Sequence, residues 1–265
     1  MATVTPNGQK PHRRVPAGLA SRANATLRAL TGVELHRPIA PRVANKQKQR
    51  WADPTFDELY EIAARTSGRS SGAGSRPDRP YNLAQLLCMT AGIDGMVGEC
   101  GCYKGLTSLL LCHYLRHQDD SFRGGGFHVF DSFEGLSVPT PEDVVADGRF
   151  GGDPGEFASS LADVRRVLGD FPDVSFHAGW IPDCFVDTPA GRWRLVHIDV
   201  DLYQPTADAL AFFFPRLAPG GVIVCDDYGF EAWPGARKAV DEYAEERAAR
   251  LLRLSSGQAV LLAGP

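Results

Sequence analysis

Two segments, V-H-I-D-V-D-L-Y at residues 196–203 and G-G-V-I-V-C-D-D-Y at residues 220–228, decide how this chain folds. Two short apolar runs, 194–198 and 222–225, each end in acidic residues, and between the runs lies a helix-length segment closing in Pro-Gly-Gly. Strand-sized runs on either side of a helical stretch predict a β-α-β unit with its carboxylates at the strand ends. In an open parallel sheet, ligands bind beyond the carboxyl ends of the strands, so Asp199, Asp226 and Asp227 are expected to converge on one site. Three carboxylates at close quarters repel one another unless a cation sits among them, and oxygen donors alone favour a hard ion such as Mg²⁺. Two alternatives stay open: Asp226 and Asp227 could cap the turn that follows them, and Asp201 could replace Asp199 as ligand. His197, inside the strand run, reads as a packed and hydrogen-bonded side chain; Tyr203 and Tyr228 either line an acceptor pocket or roof the sheet.

Working outward, residues 96–100 predict the first strand, followed at once by E-C-G-C-Y-K-G (99–105) and a helix from Leu106 to about Leu115. A strand that turns through glycine into a helix presents free backbone N–H groups and lets a ligand approach closely. The spacing E-x-G-x-x-x-G is not the G-x-G-x-x-G that cradles a dinucleotide, and a purely structural turn is the alternative. G-G-G-F-H-V-F-D (124–131) predicts a second strand ending in Asp131, an acid placed to accept both hydroxyls of a ribose. Beyond S-F-E-G-L (132–136) lies a Pro-, Gly- and Asp-rich stretch to Gly155, a candidate lid. A helix over 156–168 and a third strand over 174–178 lead into Gly179-Trp180, where Trp180 either packs beside an adenine or plugs the loop. A helix over 204–217 faces the sheet with Leu210, Phe213, Phe214 and Leu217, and a charged helix spans 235–250. Runs at 251–254 and 258–262 predict a terminal hairpin that adds an antiparallel strand to the parallel sheet, an ending typical of class I methyltransferases and not of most dehydrogenases.

Ahead of the sheet, Asp53-Pro54 opens a helix over 54–66, a Ser-, Gly-, Arg- and Pro-rich loop spans 67–80, and helical periodicity resumes over 81–93. These 51–95 helices are expected to cap the active edge of a catalytic domain at 96–265. Residues 1–50 form a basic arm, with ten Lys or Arg against Glu34 alone, expected to be disordered or covered by a partner. No aromatic residue precedes Trp51 to stack on bases, so a nucleic-acid role is not expected. No apolar run is long enough for a membrane span and no secretory signal stands out, which predicts a cytoplasmic protein without a membrane partner. The six cysteines lack zinc spacing and read as reduced, mostly buried thiols.

Together, E-C-G-C-Y-K-G, F-D-S-F-E-G-L, A-G-W, D-V-D-L-Y and P-R-L-A-P-G-G-V-I-V-C-D-D-Y resemble the macrocin O-methyltransferase family, S-adenosylmethionine- and Mg²⁺-dependent enzymes that methylate sugar hydroxyls of bacterial natural products. The resemblance implies a Rossmann-like class I methyltransferase fold: a mostly parallel seven-stranded sheet with a C-terminal antiparallel hairpin and helices on both faces. It implies a cofactor site built from Glu99, Gly101, Tyr103, Gly105, Asp131, Ser132, Gly179, Trp180 and Asp199, with Glu99 and Gly101 on the methionine part and Asp131 on the ribose. Asp199, Asp226 and Asp227 become the metal ligands, and Asp199 also the general base. It further implies a glycosylated small-molecule acceptor and a homodimer or larger assembly. The helix before the first strand departs from that family's M-x-G-x-x-R-L-x-N-L pattern, reading N-L-A-Q-L-L-C-M-T-A at 82–91. Rival readings are a phenol or catechol O-methyltransferase of the same fold and a nucleotide-binding Rossmann protein that transfers no methyl group.

Overall fold

A computed structural model describes residues 52–72 and 75–263, all within one compact unit spanning 45–265. The basic arm expected over 1–50 lies outside the described residues. Helices α1 (Pro54–Thr66) and α2 (Asp78–Met89) precede strand β1 (Met96–Cys100), helix α3 (Leu106–Gln118) and strand β2 (Phe127–Asp131). Then come α4 (Leu161–Val167), β3 (Ser175–Ala178), β4 (Trp193–Ile198), α5 (Tyr203–Phe213), β5 (Leu217–Cys225), α6 (Pro234–Glu246), β6 (Arg250–Arg253) and β7 (Ala259–Leu262). The seven strands follow the order β3-β2-β1-β4-β5-β7-β6, with β1 to β5 parallel and β7 antiparallel to both β5 and β6.

Period-two alternation splits the core into two layers. Val97, Val129, Leu195, Val222, Val224 and Val260 face α1 to α4, whereas Cys100, Phe130, Val196, Ile198, Ile223 and Leu261 face α5 and α6. The largest buried side chain, Trp193, lies over Gly98, where a Cβ would come within 2.9 Å of its ring. Chain order runs outward from β1 to β3 and then crosses to β4 on the other side, so the topological switch point falls between β1 and β4. There the Asp199 amide donates to the Cys100 carbonyl (2.9 Å) and Gly101, at φ +80°, passes so close that a Cβ would overlap the Asp199 carbonyl oxygen.

Several boundaries differ from the sequence reading. The helix expected over 156–168 begins only at Leu161: Ser160 caps it by accepting from the Asp163 amide (3.1 Å), and Phe157 sits at φ +64°, outside helical space. The helix expected to reach Leu217 ends at Phe213 in a tight turn carrying Pro215, which has no N–H to continue it. Pro219-Gly220-Gly221 is part of β5, pairing Leu217 with Trp193 across an irregular register. Helix α2 starts at Asp78, with Pro80 accommodated in its first turn. No described helix is long and apolar enough to cross a membrane.

Candidate active site

At the switch point, the carboxyl ends of β1, β2, β4 and β5 open into one cavity of about 850 Å³, within the roughly 300–1,000 Å³ usual for ligand sites. Gly101, Tyr103, Asp131, Ser132, Gly179 and Trp180 line one part; Asp199, Asp201, Asp226 and Asp227 line another; and Phe157, Phe230 and Trp233 add an aromatic wall. Asp131 closes β2 and is fixed by two amides, Cys102 donating to Oδ2 and Phe133 to Oδ1, each at 2.7 Å, which leaves every oxygen a further lone pair. Ser132 turns the chain by accepting from the Glu134 amide (3.1 Å) and donating to the Gly135 carbonyl (3.0 Å). Tyr103 packs edge-on to Phe157 beneath the Arg69 guanidinium, and Trp180 remains partly exposed over the opening.

Two residues of the expected cofactor set lie elsewhere. Glu99 is fully buried and does not line the cavity; one carboxylate oxygen meets the Ser108 hydroxyl and the other lies 3.0 Å from His197 Nδ1. Gly105 precedes α3 at φ +77°, facing Val164 and Val167. Tyr203 and Tyr228 also turn away from the cavity, their hydroxyls donating to Glu242 (2.7 Å) and Asp241 (2.8 Å).

The acids gather, joined by Asp201, the alternative ligand left open by the sequence, and by His197. Carboxylate oxygens of Asp199, Asp201 and Asp227 lie within 4.8 Å of one another, and so do donor atoms of His197, Asp199 and Asp226. Asp199 is shared by both groups. Asp201 stays in the cluster because its backbone turns left-handed (φ +61°) and its amide donates to Asp227 Oδ2 (3.2 Å). Asp226 Oδ1 accepts from Gln258 Nε2 (2.7 Å) and lies 3.2 Å from His197 Nε2, off a hydrogen-bonding angle. Burial and the neighbouring Asp199 push the Asp201 carboxyl up to about 8, against the opposing pull of Arg79. Burial and then Asp199 and Asp201 raise Asp227 well above the carboxylate range, again with Arg79 opposing.

A cation already sits among these groups. Arg79, from the first turn of α2, brings Nη2 into contact with Asp226 Oδ2, to 3.0 Å from Asp227 Oδ1 and to 3.9 Å from Asp199 Oδ1. Its guanidinium lies 4.6 Å from the Phe230 ring centre. Arg79 falls in the loop expected over 67–80, whereas the structure places it in the first turn of α2. The sequence marks it: Arg79-Pro-Tyr-Asn-Leu83 keeps the arginine, asparagine and leucine of R-L-x-N-L, beginning two residues ahead of the helix expected over 81–93.

An antiparallel strand slotted beside the last parallel one, with the cavity at the switch point, is the arrangement of class I methyltransferases. Among solved structures, the O-methyltransferase NovP superposes with a TM-score of 0.63 over 80% of this chain and 98% of that chain, at 24% identity. Within this class the chain belongs to the macrocin-O-methyltransferase (TylF) family, whose model matches residues 78–251. It is 31% identical to mycinamicin III 3''-O-methyltransferase of Micromonospora griseorubida over 81% of this chain and 90% of that protein. It is 34% identical to 8-demethyl-8-(2,3-dimethoxy-alpha-L-rhamnosyl)-tetracenomycin-C 4'-O-methyltransferase of Streptomyces olivaceus over 57% of this chain, spanning 59% of that relative's length.

Proposed function

We propose that this protein moves a methyl group from S-adenosylmethionine to a hydroxyl of a small, sugar-bearing natural product, with a divalent ion, Mg²⁺ by preference, held by Asp199, Asp226 and Asp227. The observation that carries the reading is the meeting of carboxylates from the ends of β4 and β5 in the switch-point cavity, in two groups that share Asp199, with one guanidinium nitrogen reaching Asp199, Asp226 and Asp227. The donor set fits a hard ion: its oxygens come from carboxylates, and four of them, Asp199, Asp201, Asp226 and Asp227, gather round a single guanidinium. Bound there, a divalent ion lowers the pKa of a hydroxyl and fixes its position.

The protein's own groups do the remainder. Asp131 offers its free lone pairs to a ribose, Trp180 a partly exposed ring to an adenine, and Gly101 a bare main chain beside the methionine part. Asp199, the acid shared by both groups, takes the hydroxyl proton as the oxygen–carbon bond forms and the carbon–sulfur bond breaks. Alignment matters more than activation here, because a sulfonium methyl is already electrophilic. Names of the relatives support a sugar hydroxyl as acceptor, since the mycinamicin and rhamnosyl-tetracenomycin enzymes are both O-methyltransferases of glycosylated compounds. The test is Asp199→Ala, assayed for S-adenosylhomocysteine release across a panel of glycosylated and catechol acceptors. Turnover is expected to vanish while S-adenosylhomocysteine still binds by calorimetry; retained turnover with lost cofactor affinity overturns the assignment.

A further inference from the structure

We propose that Arg79 and the divalent ion are alternative occupants of the acid cluster, so that loading the ion expels a guanidinium from the site; this rests on reading the cluster as an ion site. Arg79 stands where an ion shared by Asp199, Asp226 and Asp227 has to sit, with one nitrogen, Nη2, reaching all three carboxylates. Two positive charges do not share that space.

The manner of its binding marks Arg79 as exchangeable. Arginine holds a carboxylate best through two parallel N–H bonds, a fork that fixes both partners. Here the one side-chain hydrogen bond from Arg79 to an acid among the described residues runs from Nη2 to Asp227 Oδ1, its closest approaches to Asp199 and Asp226 are through the same nitrogen, and Nε is buried without a hydrogen-bond partner among the described residues. Expulsion therefore releases a poorly paired donor, and a divalent ion answers more of the charge on Asp199, Asp201, Asp226 and Asp227 than a single guanidinium does. The main chain does not have to follow. Gln258 Nε2 donates both to the Arg79 carbonyl (3.2 Å) and to Asp226 Oδ1 (2.7 Å), and Asn82 bonds Ser256 and Gln258, which ties the start of α2 to the C-terminal hairpin. The side chain swings while its backbone stays, and the cavity wall formed by Arg79 and Phe230 is reshaped when the ion enters.

Mn²⁺ binding, counted by electron paramagnetic resonance on wild type and Arg79→Gln, reads the competition directly. The variant is expected to bind Mn²⁺ at least about fivefold tighter, the low end of ordinary coupling between two ligands. Equal or weaker binding, or no binding by either protein, overturns the proposal. Phenylglyoxal labelling of the wild type, mapped by peptide mass spectrometry, decides the matter without a variant. Labelling of Arg79 is expected to rise when Mn²⁺ is added, and an unchanged or reduced yield sinks the exchange. S-adenosylhomocysteine affinity in the same samples tests the methyltransferase reading separately, since its loss leaves the Mn²⁺ and labelling results standing.

Discussion

Asp199, Asp226 and Asp227 were legible because an acid at the end of an apolar strand run has one place to go in a parallel sheet. Arg79 carries a local mark, the arginine of Arg79-Pro-Tyr-Asn-Leu83, but its place beside Asp227, far along the chain, comes from the packing of α2 on the sheet, which that mark does not show. Glu99 shows the converse: the motif points to the cofactor, whereas the side chain lies beneath the cavity floor between Ser108 and His197, with His197 reaching on toward Asp226. The two placements make different predictions. A carboxylate in the floor is a positioning group whose removal strands a buried hydroxyl and imidazole, so Glu99→Ala is expected to cost about 3 kcal/mol of stability in urea unfolding. The folded fraction should then bind S-adenosylhomocysteine with an affinity near wild type. A loss of affinity in Glu99→Gln with stability kept would instead put the carboxylate on the cofactor.

Elements were read more surely than their ends. Helix α1 matched its expected span because Asp53 does what its position suggests, accepting from the Phe56 amide (3.0 Å) ahead of Pro54. Helix α4 starts late for a local reason and a distant one: Ser160 caps it, and Phe157 is drawn against Tyr103 and Trp233. The stretch over 137–155 had no periodicity to read, yet it is pinned. Asp143, almost fully buried in a short turn at Pro141–Asp143, accepts from the Thr140 amide and hydroxyl and from the Tyr203 amide, supplying from a distant segment the cap that α5 lacks at Leu202. Asp143→Ala is therefore expected to cost about 1–3 kcal/mol, as an unpaired helix-end donor does, and to loosen the whole stretch. Urea unfolding checks the first part, and faster tryptic cleavage at Arg149 than in wild type checks the second. Unchanged cleavage would mean that Lys238, 3.6 Å from Glu142, holds the segment without Asp143.

At the scale of the molecule, alternation of strands and helices announced a doubly wound sheet, and the final hairpin announced its antiparallel end. Which hairpin strand lies inside was also written in composition: β7, Ala-Val-Leu-Leu, is apolar throughout and pairs with β5, whereas β6 is flanked by Arg250 and Arg253 and forms the edge. The hairpin is accordingly part of the fold and of the site, since Gln258 at its turn reaches Asp226. Ending the chain after Arg247 removes Ala259, Val260 and Leu261, each almost fully buried, and the two larger are worth about 1.5–3 kcal/mol apiece. It also leaves the apolar β5 without its neighbour, a ready surface for pairing with other chains. Against a net stability of roughly 5–15 kcal/mol, that loss is expected to abolish the cooperative thermal transition in circular dichroism and to give aggregates on size exclusion. Leu252→Lys, on the exposed edge strand, is the control, expected to stay within about 0.5 kcal/mol of wild type. If the shortened chain still melts cooperatively, the sheet is complete at β5 and Gln258 holds Asp226 without supporting the fold.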